Sequence, residues 1–237
     1  MIEIIESYGQ AYIWWDGATF SGLIVTIWLL AGALCMGFVL SLPMAILRVN
    51  RNWWLSGPVW IFTYIFRGTP LYIQLLIIYS GLYQLEFIRA HAFLDSFFRD
   101  GMKCAILALG LNTTAYTTEM FAGAMRSISR GEIEAAQAFG LSQFAIYRKL
   151  IIPAALRRAL PAYSNEVILM LHSTALAFTA TVPDILKVAG DVNAETYQSF
   201  HAYGIAALIY LATSFVLIGA FRLVERRVLA FAKPRTH

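Results

Sequence analysis

Residues 17–47 read GATFSGLIVTIWLLAGALCMGFVLSLPMAIL, thirty-one positions without one Asp, Glu, Lys or Arg. A helix needs about 20 apolar residues to cross the hydrocarbon core of a bilayer, so this stretch predicts a membrane span over about 19–47. The rest of the chain agrees. Of its 237 residues 59% are hydrophobic and only 14% charged, and the mean hydropathy is +0.64. An ordinary soluble domain carries roughly 25% charged residues. Upstream, residues 1–16 hold Glu3, Glu6 and Asp16 with no Lys or Arg. That is the wrong charge for the leading part of a cleaved signal peptide, and the N-terminus is expected to be retained.

Working outward, four more apolar stretches emerge at about 58–86, 103–125, 161–182 and 203–224. The expectation is therefore an all-α integral membrane protein with five transmembrane helices and its termini on opposite sides. Lys and Arg in short loops mark the cytoplasmic side. Thirteen of the eighteen gather on one face, from Arg48 and Arg51 through Arg126, Arg130, Arg148, Lys149, Arg157 and Arg158 to Arg222, Arg226, Arg227, Lys233 and Arg235. Arg89, Arg99, Lys103 and Lys187 fall on the other face, and Arg67 lies inside a span. This split predicts an external N-terminus and a cytoplasmic C-terminus. It also accounts for the net charge of +4 as a topology signal, so no nucleic-acid partner is expected. Cys35 and Cys104 sit in apolar runs, where cysteine behaves as a small hydrophobe, and neither a disulfide nor a metal site is expected.

The connection between the third and fourth spans, about 35 residues, is too long for a simple turn. Ser129 can cap a helix in which Glu132 and Glu134 favour the positive end and Ala135, Ala136 and Ala138 favour continuation. Gly140 suits its end, and Ser142 can cap a second helix with Phe144, Tyr147, Leu150 and Ile151 on one side. Pro153 and Pro161 mark later breaks or restarts. The expected product is two short helices around a glycine corner on the cytoplasmic surface, with Ile133, Phe139 and Phe144 available to a partner or packed under the bundle.

The string Glu134-Ala135-Ala136, three residues, Gly140, nine residues, Leu150-Ile151-Ile152-Pro153 resembles the EAA loop of ABC importer permeases. Two more strings, Arg67-Gly68-Thr69-Pro70-Leu71 and Ala115-Tyr116 with Glu119, are similar to the polar amino acid subfamily. FTYIFRGTPLY, GEIEAA and PAYSNEVILMLHSTALAFTATVPD resemble its M-type permeases for histidine, lysine, arginine and ornithine. The likeness covers roughly residues 60–185. Ala122 and the run His172-Ser173-Thr174-Ala175-Leu176 depart from the wider subfamily, which often has Arg and Lys-Asp-Thr-Ser-Leu there.

The resemblance implies a type I ABC importer permease forming one transmembrane domain over 1–237, with its EAA loop at about 129–153, in a bacterial inner membrane. Its two short helices would be coupling helices, with Glu132, Glu134, Ala135, Ala136, Phe139, Gly140 and Leu141 at the contact with an ATPase. Implied partners are a homologous, Q-type permease subunit forming a heterodimer, an ATPase dimer that binds ATP and Mg, a periplasmic solute-binding protein and the bilayer. No cofactor is expected on this chain itself, which has no G-x-x-x-x-G-K-[ST] string.

Arg67, Glu119, Glu166 and His172 fall within predicted spans, where each charge costs at least about 2.5 kcal/mol unless it faces a cavity or a partner. Pro70 cannot donate to Phe66, so the second span is expected to break there, with Arg67 holding the break by an ion pair or a carbonyl contact. Glu119 and Glu166 are expected to converge on one cavity, relieved by a cationic substrate or by a protein cation such as Arg67. His172 and Thr174 complete the substrate-path candidates; Ser173 and Thr174 can also bond back to their own helix. Two other readings, an intramembrane enzyme using Glu119 and His172 and a passive channel, lack supporting motifs. Within transport, a permease for an opine or another polar amino acid is the competing reading.

Overall fold

The computed structural model describes residues 2–229; Lys233 and Arg235, counted above on the cationic face, lie outside them. All its regular elements are helical, and β structure among the described residues is limited to isolated bridges at Trp15–Phe20 and Gly22–Asp184. A first helix, α1 (Ile2–Ile13), precedes α2 (Leu23–Arg48), which contains the decisive apolar run. Next come α3 (Trp53–Gly68) and α4 (Leu71–Leu76), the latter continuing as tighter and wider turns to Gln84. Two short helices, α5 (Glu86–Ala90) and α6 (Ala92–Phe98), lead into α7 (Gly101–Arg126), whose start is capped by Asp100 accepting from the Met102 and Lys103 N–H groups.

The long connection that follows α7 holds α8 (Arg130–Ala138) and the single turn α9 (Gln143–Ile146). A π-helical turn, Tyr147–Ile151, then joins α9 to α10 (Ile152–Ser173). The second surface helix of the sequence reading is therefore the root of a long membrane-directed helix. Ile146 and Ile151 are both buried in a cluster with Phe121 and Ala122, and the wide turn between them lets helical structure continue while both face inward. Pro161 sits inside α10 without a break, contrary to expectation, while Pro153 occupies the first turn; prolines are tolerated in such helices where neighbours satisfy the backbone. After a 3-10 segment over Thr174–Ala180 come α11 (Ile185–Thr196) and α12 (Ser199–Val228).

The centre of the molecule is α7, which packs against α2, α3, α4 and α10. Small residues permit the close approach. A Cβ on Gly37 of α2 would lie 2.4 Å from Thr113 Cγ2 of α7, so the two backbones meet only because glycine stands there. The main core joins Leu29, Ala33, Ala105, Ala108, Leu109 and Leu171. Segments outside the predicted spans are structured too. Ile4 and Tyr12 of α1 are buried against Ile185, Val188, Ala202 and Ile205 of α11 and α12, and the Tyr12 hydroxyl donates to the Ala202 carbonyl at 3.0 Å.

By length and apolarity α2 and α12 each suffice to cross a membrane, and α3 with Leu71–Gln84 forms a third candidate bent by 105°. The helices α7 and α10 fall short of that apolarity because they carry more polar residues: Asn112, four threonines and Glu119 on one, and on the other the buried Glu166 with the exposed Arg157, Arg158 and His172.

Candidate functional site

The break between α3 and α4 originates in Pro70, whose missing N–H leaves the Phe66 carbonyl without its helical partner. Two amides take that place. Gln74 Nε2 donates to Phe66 O at 2.7 Å, and Asn112 Nδ2 of α7 donates to it at 3.2 Å and to Gln74 Oε1 at 3.1 Å. Gln74 Nε2 also lies 2.8 Å from Thr69 Oγ1 and 3.1 Å from Thr69 O. Both amide side chains are buried, where an unpaired carbonyl costs about 1–3 kcal/mol. Gln74 and Asn112 thus hold the break that the sequence reading assigned to Arg67. The signal for them was present but unweighted: an amide in an apolar run, four residues past a proline.

Arg67 turns instead toward α7, its guanidinium 5.3 Å from the centre of the Tyr116 ring, a cation–π contact. The Tyr116 hydroxyl reaches back to Arg67 O at 3.5 Å. Arg67 lines a cavity of about 730 Å³ together with Thr69, Pro70, Asn112, Tyr116, Glu166, His172 and Ser173. Glu166, projecting from α10, is only 7% exposed. The break in one helix therefore places a guanidinium on the same cavity as a nearly buried carboxylate.

The remaining candidates lie elsewhere. Glu119 does not join Glu166. Its Oε1 accepts from Arg48 Nε at 2.6 Å and from the Thr63 hydroxyl at 2.8 Å, an ion pair whose side chains are 20% and 17% exposed. Arg126 Nη2 donates to Arg48 O at 3.3 Å. The two carboxylates avoid mutual repulsion by separation, each with its own surroundings, and the cation beside Glu119 is Arg48 rather than Arg67. Arg48 was read as a loop charge because it ends the apolar run; only helix packing brings it to Glu119. Thr174 is fully buried and donates to the Leu171 carbonyl at 2.6 Å, and the Ser173 hydroxyl donates to Leu169 O at 2.9 Å, as their spacing predicts. His172 lines the cavity and holds Ser214 Oγ of α12 at 3.1 Å. The single Ser214 proton goes to Tyr210 O at 2.8 Å, so His172 Nε2 is the donor.

On the connection that carries α8, Ser129 accepts from Glu132 N at 3.2 Å and caps the helix. The other end closes as a Schellman turn: Gly140 N donates to Gln137 O at 2.8 Å and Leu141 N to Ala136 O at 3.2 Å, with Gly140 at φ +76°. These are the paired bonds by which a left-handed glycine ends a helix. Ala136 and Leu141, partly buried, rest with Ile133 on the cluster around Ile128 and Ile146. Glu132, Glu134, Ala135 and Gly140 are exposed. Phe139 and Phe144, at the two sides of the corner, are 87% and 74% exposed. Capped at both ends, α8 presents a short apolar and acidic surface outward. Among the described residues, no group of three His, Cys, Asp or Glu side chains is placed to hold a metal.

Residues 37–230 match the family described as binding-protein-dependent transport system inner membrane component. The chain is 60% identical over 234 residues to the histidine/lysine/arginine/ornithine transport system permease protein HisM of Escherichia coli strain K12, covering 99% of this chain and 98% of that one. It is 41% identical to the octopine transport system permease protein OccM of Rhizobium radiobacter, over 92% and 89% of the two chains. Among solved structures, an amino acid ABC transporter crystallised with histidines superposes with a TM-score of 0.81 at 28% identity, covering 96% and 98%.

Proposed function

The chain belongs to the binding-protein-dependent transport system inner membrane components, and from that membership we propose that it is the permease subunit of an ATP-driven ABC importer for cationic amino acids, namely histidine, lysine, arginine and ornithine. The 60% identity to a permease of that specificity along 99% of the chain supports the assignment. In this reading the chain is one transmembrane domain over residues 1–237 with five spans. They are α2, the bent α3–α4 pair, α7, α10 and α12, with α7 and α10 crossing inside the bundle where their polar residues face protein or cavity rather than lipid. The N-terminus is periplasmic and the C-terminus cytoplasmic. A homologous permease completes a heterodimer, a solute-binding protein delivers substrate from outside, and an ATPase dimer carrying ATP and Mg docks on α8 and its glycine corner. The chain itself binds no cofactor.

The observation that carries the substrate class is the cavity lined by both Arg67 and Glu166. An amino acid with a cationic side chain offers one carboxylate and two ammonium-type groups. The guanidinium of Arg67 suits the carboxylate, and Glu166 suits a cation, because a nearly buried carboxylate gains most from a positive partner. Alternating access then follows: closure of the ATPases displaces α8, the cavity opens to one side at a time, and release on the cytoplasmic side precedes resetting. Relative uptake of lysine and of a neutral analogue through Glu166→Gln tests the reading. A loss of roughly tenfold or more for lysine with the neutral analogue spared is expected. Equal loss of both makes Glu166 structural. The similarity to an octopine permease supports including octopine as a competitor in the same assay, and octopine outcompeting lysine overturns the assignment to histidine, lysine, arginine and ornithine.

A further inference from the structure

Arg158 stands on α10 eight positions before Glu166, about 12 Å down the same helix. Its Nη1 donates to the Ser127 carbonyl at 2.5 Å and lies 3.1 Å from Ser127 Oγ. Its Nη2 lies 3.6 Å from Glu132 Oε1. Ser127 closes the end of α7, and Glu132 belongs to the first turn of α8, where its Oε1 also holds the Ser129 hydroxyl at 3.0 Å. One planar guanidinium therefore touches the α7–α8 link and α8 from a position on α10.

These contacts add little stability. The Arg158 and Glu132 side chains are 41% and 44% exposed, and exposed ion pairs contribute little net stability. What they supply is direction, since the guanidinium fork fixes angles as well as distances. The partly buried Ile133 and Ala136 also rest on the bundle. Apolar contact is non-directional, so those two side chains do not by themselves fix the direction of this nine-residue helix over its cluster.

We propose that Arg158 is a positioning residue that fastens α8 to α10, so that a push on α8 moves α10, with Glu166 and His172, as one body. This rests on the reading of α8 as the surface the ATPase contacts. In it, Arg158 touches neither substrate nor ATPase; it converts displacement at the corner into displacement at the cavity.

The test is the number of substrate molecules taken up per ATP hydrolysed, measured in proteoliposomes holding the whole complex with its binding protein. Arg158→Ala is expected to lower that ratio roughly 5- to 10-fold, the range of a coupling interaction of this kind, with binding-protein-stimulated hydrolysis within about twofold of wild type. Arg158→Lys keeps a charge and one donor to Ser127 but not the two-element fork, and should fall between. Because the ratio is normalised to hydrolysis, poor assembly of a variant does not move it. An unchanged ratio in Arg158→Ala, beside a wild-type complex that couples normally, overturns the role of Arg158 alone. A wild-type complex that neither answers the binding protein with hydrolysis nor takes up amino acid overturns the functional reading itself.

Discussion

Asp184 shows how far a single side chain can be committed to structure. It caps α11 by accepting from the Leu186 and Lys187 N–H groups at 3.2 and 2.9 Å, and it receives the Tyr210 hydroxyl at 3.1 Å. It is fully buried, and burial pushes its carboxyl up from the ordinary 3.8 to about 6 in spite of those three donors. Between these values the folded chain holds a proton that the unfolded chain releases. Its contribution to stability is thus greatest below pH 3.8 and declines as pH rises through 6, by at most about 3 kcal/mol. Asp184→Asn should abolish that slope: the gap in thermal midpoint between the two proteins is expected to widen in favour of Asn from pH 4 to pH 7. A constant gap across that range contradicts it. Arg67 and Glu166 are placed differently, both bordering the cavity.

At the scale of elements, the glycine corner explains the sequence spacing that first drew attention to it. Ala136 and Gly140 are four apart because a Schellman turn needs its left-handed residue at that distance from the carbonyl it helps to close, and the bond from Leu141 N to Ala136 O completes it. A Cβ on Gly140 would meet nothing within 4 Å. The obstacle to substitution is therefore φ +76° and not crowding. Gly140→Val should cost about 1–2 kcal/mol locally and uncouple ATP hydrolysis from uptake while leaving assembly intact; normal transport in that variant contradicts the role of the corner. The α3–α4 break follows the same kind of rule in reverse. Proline removes one donor, and the fold must bring in others, here two amides from different elements.

For the whole molecule the central relation is that the most buried helix, α7, is a polar one, carrying Asn112, four threonines and Glu119. The most apolar helices, α2 and α12, leave much of their surface exposed, whereas α7 is enclosed. The bundle thereby shelters groups that no lipid-exposed helix could carry. The proposed five-span topology is open to single-cysteine labelling, after Cys35 and Cys104 are replaced by Ala. A thiol reagent confined to the outside is expected to modify His91→Cys and not Ser129→Cys, both on exposed connections. The reverse pattern overturns the orientation.

Apolar runs, the proline at position 70 and the EAA spacing were enough, without coordinates, to establish a helical membrane protein, a broken helix and a glycine-ended surface helix. These are properties of a chain reading its own neighbours: hydrophobic length, a missing N–H, a required φ. Which side chains meet across helices was decided only by the fold. Glu119 found Arg48, Phe66 O found Gln74 and Asn112, and Glu166 came to share a cavity with Arg67. The reason is that periodicity assigns a residue to a face of its own helix but is silent on the rotation and depth of the helix opposite, and a contact between distant residues depends on both.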